Sequence, residues 1–450
     1  MPADDMLHSG AGKHIPSEPD EDGFFWWKGN LHTHTLWSDG GQFPEVVTQW
    51  YYQHGYHFLA LSEHHVLSSG VVLADEPYYG EGFDISSRTK DLIKGQKWIN
   101  PKTFSYADRG GGMEGYELYR NLFGDEWIET REVDGELKVR LKSLDEIRTL
   151  FEEPGRFVMI ESNEITERGH GVHVNATNIR NLIKPQTGAT VEETIRLNID
   201  AVVKQSEKTG QDMIPHLNHP NNNMVVTAED MAPIENLRLF EVYNGHRSVI
   251  DFGDDIPPKD LDRVWDIVLT RRLGELDLGL LYGLAADDAH HYDPSTIETA
   301  RPGRGWVMVY SRFLTPQFII QALRNGDFYS STGVTIESVQ SDENNYKVQV
   351  AAEEGVDYTI RFIGTRMGYD SSSEPFMTTN GEVLNDRTRQ YSDDIGKVFK
   401  EVRGHEATYE FRGDELYVRV KVISTKPKEN YLTEGEREKA WLQPVRPASK

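Results

Sequence analysis

Two textures of apolar patterning divide the 450 residues. Up to about residue 333, short apolar runs alternate with stretches of helical period. Beyond it, apolar and polar positions alternate every second residue. The first run, 24–31, is aromatic-rich and predicts a strand. Residues 44–54 predict a helix: Pro44 suits the first turn, Glu45 favours the N-terminal dipole, and Gly55 supplies the stop. The run 56–61 is short, apolar and bounded by Gly55, as in a buried parallel strand. The alternation resumes with a strand over 157–164, then a helix over 190–208 stopped by Gly210 and a strand from 213 into His216. Next come a strand over 237–243, a helix over 259–272 and a strand over 278–285. Residues 305–310 are expected as the last strand of an α/β barrel, with a helix over 316–323 after it. Residues 69–153 break this rhythm. Gly110-Gly111-Gly112 and scattered Tyr and Trp predict a long insertion, helical near 143–151, where Asp145 and Glu146 favour a helix start. In the second texture, 346–350, 358–362, 408–411 and 416–423 read as strands of period two, separated by Gly, Asp and Asn clusters.

The expected organisation is therefore α/β. A polar, acidic, disordered tail (1–23) leads into a barrel unit (24–333, insertion about 69–153), and a small β-sandwich (334–450) follows. Composition narrows the class. A hydrophobic fraction of 37% and a mean hydropathy of -0.59 predict a soluble globular protein. No run approaches the roughly 18 apolar residues of a membrane helix. The net charge of -25 argues against nucleic-acid backbones as partners and leaves a small-molecule substrate. An anionic substrate stays open, because bound metal ions dominate their local field. With no cysteine, any metal must be held by His, Asp and Glu. The absence of an apolar leader predicts a cytoplasmic protein, with a periplasmic or secreted mature form as the alternative.

Candidate chemistry starts at His32-Thr33-His34, with Asp39 five residues on. A short His-x-His pair supplies two metal-ligating imidazoles, although by itself it also suits a polar surface loop. Recurrence changes that reading. Histidines and acids return at later strand ends in Glu63-His64-His65, Asn163-Glu164, His173, His219-Pro220 and Asp288-Ala289-His290. Strand ends form the rim on which α/β barrels build their sites.

This order resembles the PHP superfamily, named for the polymerase-associated and histidinol phosphatase domains. The matching elements are His-x-His followed by Ser38-Asp39-Gly40, an acid-His pair at Glu63-His64, the acid in Asn163-Glu164-Ile165-Thr166, His173, His219-Pro220, and Asp288-x-His290. Gly29-Asn30-Leu31-His32, Glu241-Val242-Tyr243-Asn244, Phe328 to Gly333 and Ala440 to Pro444 resemble its carbaryl-hydrolase-like subgroup, which carries a β domain after the barrel. The resemblance implies a distorted (β/α)7 barrel and two or three divalent ions (zinc, manganese or iron). His32, His34, Glu164 and Asp288 would hold the first, Glu164 bridging to a second on His173 and His219. A third would sit on Asp39, His64 and His290. A hydroxide between the first two metals would be the nucleophile, with His64, Asp288 and His290 as the catalytic set. Asn244, Arg304 and His65 are weaker candidates for binding substrate, and Asp287, His216 and His291 for fixing imidazole tautomers. For each of these an ordinary structural role is the alternative. Small phosphomonoesters or phosphodiesters are the expected substrates. Amides, esters or carbamates are the alternative, and an inactive barrel with a binding module is a second one. Arg304 and Arg168 are the cations that would favour a phosphate. Aromatic residues of the insertion (Tyr78, Tyr79, Trp98, Tyr106, Tyr116, Tyr119, Trp127) would wall the cleft or, alternatively, pack in a core of their own.

Overall fold

The computed structural model describes residues 18–69, 92–93, 96–102, 112–222, 226–249, 261–292, 299–377, 381–384 and 387–448. Expectations for 1–17, Tyr78, Tyr79, Tyr106 and the start of the 259–272 helix lie outside these residues. The chain is mixed α/β, with one large sheet carrying parallel strands and several smaller sheets.

In order come β1 (Phe25–Asn30), α1 (Pro44–Gln53) and β2 (Phe58–Leu61). The insertion contributes β3 (Leu92–Ile93), β4 (Gln96–Ile99), α2 (Gly112–Phe123), β5 (Thr130–Val133), β6 (Glu136–Arg140) and α3 (Leu144–Phe151). Then follow β7 (Val158–Thr166), β8 (His173–Thr177), α4 (Val191–Thr209), β9 (Ile214–Leu217), α5 (Ala228–Met231), β10 (Leu239–Asn244), α6 (Leu261–Gly274), β11 (Tyr282–Ala286), β12 (Trp306–Ser311), α7 (Pro316–Asn325) and β13 (Phe328–Ser331). Local chemistry accounts for several boundaries. Thr190 accepts from Glu193 N to start α4, and Gly210, in the left-handed region, ends it. Thr315 and Gly326 do the same for α7. At α3, the Glu146 carboxylate accepts from Ser143 N and Oγ, both at 2.9 Å.

Strands β1, β2 and β7 are parallel neighbours, as are β9, β10 and β11. Between the two groups, β8 runs antiparallel to both β7 and β9. The tight return from β7 to β8 is tied by Glu167, whose carboxylate accepts from Gly169 N, His170 N and Thr187 Oγ1. The expected final barrel strand is placed differently. β12 pairs antiparallel with β1, from Phe25↔Ser311 to Gly29↔Val307. The segment after β11 meets the end of β1 instead: His34 N donates to Ala289 O and Asp288 N to His32 O, both at 3.0 Å. β11 also begins later than its apolar run, because Leu278 N closes on Arg272 O behind α6.

The C-terminal strands are β14 (Ile336–Ser341), β15 (Asn345–Val350), β16 (Tyr358–Arg366), β17 (Ser373–Glu374), β18 (Phe376–Met377), β19 (Val383–Leu384), β20 (Gln390–Tyr391), β21 (Lys397–Arg403), β22 (Glu406–Glu410), β23 (Glu415–Pro427) and β24 (Arg437–Val445). The sheet β14-β15-β22 shares one core with β16, β23 and β24, built from Tyr346, Val348, Ile360, Phe362, Val418, Val420, Val422 and Leu442. β24 pairs with β13, so the large sheet continues from the first unit into the second. Among the described residues no helix is long and apolar enough to cross a membrane.

Candidate metal centre

The site grows from the end of β1. Asn30 Oδ1 accepts from His32 N (2.9 Å) and Ser62 Oγ from Thr33 N (3.0 Å), which stretches the chain so that both imidazoles turn inward. The backbone then folds back, with Ser38 N and Gly40 N both donating to Thr35 O. A Cβ on Gly40 would lie 2.4 Å from the backbone of His34, so glycine allows the turn that brings Asp39 over His34. The Glu63 carboxylate fastens this loop, accepting from Thr35 N, Thr35 Oγ1 and Ser38 Oγ. β7 delivers Glu164. The antiparallel return sets His173, the first residue of β8, opposite Thr166. His65, His219 and Asp288 all have positive φ (54°, 23° and 49°), a local strain that collects at functional sites.

All nine residues expected as ligands converge. Glu164 Oε2 lies 3.6 Å from His32 Nε2 and 3.5 Å from His34 Nε2. Its other oxygen, Oε1, lies 2.9 Å from His173 Nδ1 and 3.7 Å from His219 Nε2. Asp288 Oδ1 is 3.2 Å from His32 Nε2 and 3.3 Å from His34 Nε2. On the far side of His34, Asp39 Oδ1 is 3.5 Å from His64 Nε2 and 3.3 Å from His290 Nε2. Among the described residues, donor atoms within 4.8 Å of one another group as His32-His34-Glu164, Glu164-His173-His219, His34-Asp39-His64-His290 and His32-His216-Glu241. These are sets that could hold divalent cations.

Burial opposes ionisation of Glu164, yet His64, His173 and His32 outweigh it and hold its carboxyl well below the usual range. Asp288 and Asp39 are likewise buried and likewise held low by surrounding histidines. His34 is driven down to about 3 by burial and by the neighbouring His290 and His64, which favours the neutral ring, the form able to bind a cation. Burial disfavours charge on His64, but Glu164 and Asp39 raise it to about 9. Divalent cations fit this set. His32 Nε2, His34 Nε2 and Glu164 Oε2 are buried, converge on one point and have no hydrogen-bond partner. An orphaned buried polar atom costs about 1–3 kcal/mol, and an ion at their shared focus would satisfy all three.

The remaining sequence candidates have other contacts. Asn244 donates to Glu241 Oε2 (2.8 Å) and Asp288 Oδ2 (3.2 Å). Arg304 is fully buried and donates to Gly245 O (2.8 Å) and Tyr431 O (3.3 Å). His65 is buried beside His64 and Arg168, and burial with those neighbours pushes it down to about 3. Asp287 accepts from Tyr51 OH and from Gly303, Arg304 and Gly305 N, pinning a loop and no imidazole. His216 Nε2 stands 3.5 Å from Glu241 Oε1, and His291 Nδ1 accepts from Ala300 N. Sequence reasoning missed Glu241, which binds His32, and His246, whose ring lies 5.1 Å from that of His290. An acid inside the strand that precedes Asn244 was the available signal for Glu241. His246 carried none.

Four of the insertion's candidate aromatics lie among the described residues. Tyr116, Tyr119 and Trp98 are buried and Trp127 partly so. Tyr116, Tyr119 and Trp127 pack with Leu36, Trp37, Phe43 and Val46, and both Tyr119 OH and Trp127 Nε1 donate to Glu45. These three form a core beneath the Thr35–Gly40 loop, the packing alternative of the two expected for them.

No family model matches the chain, and no curated protein matches it. Among solved structures, it is similar to a two-domain protein from Bacteroides vulgatus containing a predicted PHP-like metal-dependent phosphoesterase. The identity is 15% and the TM-score 0.39, over 94% of this chain and 97% of that one. At that level of likeness, the geometry of the donors decides the reading.

Proposed function

We propose that this chain is a multinuclear metal-dependent hydrolase of the PHP type, acting on a small phosphomonoester or phosphodiester. The reading rests on Glu164, whose Oε1 faces His173 and His219 while its Oε2 faces His32 and His34 and also lies 2.8 Å from His64 Nδ1. A carboxylate in that position can serve two cations, one oxygen each. His32, His34, Glu164 and Asp288 would hold the first, Glu164, His173 and His219 the second, and Asp39, His64 and His290 the third. Zinc, manganese or iron bound there would supply Lewis acidity and lower the pKa of water. Asp288 turns Oδ1 toward both His32 and His34 and so orients the pair. His64 and His290 present Nε2 to the same oxygen of Asp39. With the third position empty, either could hold or deliver a proton at a leaving oxygen, and with it filled both would be ligands.

Adjoining donor sets suit a phosphoryl group, which spreads charge over several oxygens. A second reading, amide, ester or carbamate hydrolysis, is favoured by one observation: Arg304 donates to backbone carbonyls. In support of the fold reading, β1, β2 and β7 to β11, joined end to end by the His32–Asp288 and His34–Ala289 bonds, fit a distorted (β/α)7 barrel. The residues from 334 on would contribute no ligand.

Metal analysis of the purified protein with a panel of phosphoester, ester and carbamate substrates tests this. At least two ions per chain and turnover of phosphoesters are expected. Less than about one ion per chain, with none taken up on reconstitution, refutes it.

A further inference from the structure

The segment Glu241 to Asn244 contains none of the nine proposed ligands, yet its side chains touch three of them. Glu241 is fully buried in the middle of β10, and Asn244 ends the strand. In a regular strand, residues three apart lie on opposite faces. Here the β10–β11 register shifts between Glu241 and Tyr243, and the irregularity turns Glu241 and Asn244 to the same side. Glu241 Oε1 lies 2.7 Å from His32 Nδ1. Its Oε2 accepts from His219 N at 2.7 Å and Asn244 Nδ2 at 2.8 Å. Asn244 Nδ2 also reaches Asp288 Oδ2 at 3.2 Å, and its Oδ1 accepts from His246 N at 2.8 Å. His216 Nε2, at 3.5 Å from Oε1, is too far for a hydrogen bond.

We propose that Glu241 is a positioning residue that selects the ring tautomer of His32 and thereby makes the first cation site. The inference rests on the metal-ion reading above. An ionised carboxylate only accepts, so a proton must sit on His32 Nδ1, and in the neutral ring that a cation requires the lone pair is then on Nε2. That lone pair faces Glu164, His34 and Asp288. The Oε2 place must be an oxygen, because two N–H groups point at it and one is a backbone amide that cannot rotate. A glutamine at 241 would keep its oxygen there and offer its NH2 to His32. Nδ1 would then have to accept, the proton would move to Nε2, and the ring would turn an N–H toward the cation position.

The test uses the full chain loaded with Zn2+ or Co2+. Glu241→Gln should weaken the tightest ion by about 10–100-fold and lose about one ion per chain on dialysis, with unchanged far-UV circular dichroism. In a His32→Gln background it should change ion content no further, because the two residues act as one unit. Glu241→Gln with wild-type ion content and affinity overturns the proposal, as does an additive loss in the double variant. Should the variant not fold, 15N ring shifts of His32 in the zinc-loaded wild type decide, assigned by difference from His32→Gln. Zinc on Nε2 supports the proposal and zinc on Nδ1 overturns it. A wild type that takes up no ion overturns the metal-ion reading itself, and this inference with it.

Discussion

Glu164 and Glu161 lie three residues apart on β7 and have opposite electrostatic fates. Glu164 faces histidines that outweigh its burial and keep it ionised. Glu164→Gln retains the shape but one oxygen of the pair is lost, and an amide cannot neutralise two cations. Its kcat/KM should fall by at least about 10²-fold together with ion content, read by kinetics and elemental analysis, while the melting curve stays cooperative. Glu161 has Oε1 buried without a hydrogen bond, and burial lifts its carboxyl to about 7 from 4.5. A raised folded pKa means the folded state favours the protonated form. The cost to stability is absent below about pH 4.5 and grows as pH rises through 7. Glu161→Gln mimics the protonated acid, so its melting temperature should exceed that of the wild type by a few degrees at pH 8. The two should converge near pH 4.5, as thermal melts across that range will show.

At the scale of elements, the loop after β1 is held from three sides. Gly40 packs on the His34 backbone, Glu63 binds Thr35 and Ser38, and the insertion supports it from below. From β4, Lys97 Nζ donates to Leu36 O at 2.8 Å and Trp37 O at 2.7 Å, and Trp37 Nε1 donates to Lys142 O. Lys97→Met removes both contacts and should destabilise the protein by about 1–3 kcal/mol, measured by chemical denaturation. Gly40→Ala forces the loop off His34 and carries Asp39 with it. Metal analysis should find the ion on Asp39, His64 and His290 lost and those on the Glu164 side retained; unchanged stoichiometry would contradict this. The described part of the insertion thus supports the loop that carries Asp39.

For the whole molecule, β23 is the joint. Its even positions, Val418, Val420 and Val422, enter the C-terminal core, while Tyr417, Arg419 and Lys421 turn to α6. Arg419 is 1% exposed and makes two 2.7 Å bonds to Asp266 and one of 2.9 Å to Asp262. Removing Arg419 takes the guanidinium from the buried Asp266, which keeps the Tyr417 hydroxyl, while Asp262 keeps Lys421. Arg419→Met should therefore cost about 3–5 kcal/mol in denaturation, with ion content per folded chain unchanged.

The sequence alone was enough to show the alternating βα rhythm, the change to period two near residue 333, the glycine that stops α4, and a recurring set of His, Asp and Glu without cysteine. Those are local properties, written in side-chain type and spacing. Tertiary structure alone decided the rest. Strand direction depends on pairing between distant segments, so the antiparallel β8 and β12 and the continuation of the sheet through β13 and β24 had no local mark. Glu241 escaped because strict period two puts it on the face opposite Asn244, and the shift that reunites them arises only when β10 meets β11. The partners of Arg304 and of the insertion's aromatics were equally open from sequence, since a long or flat side chain packs against whatever the fold brings near. Here those partners are backbone carbonyls for Arg304 and, for the aromatics, the underside of the loop that carries Asp39.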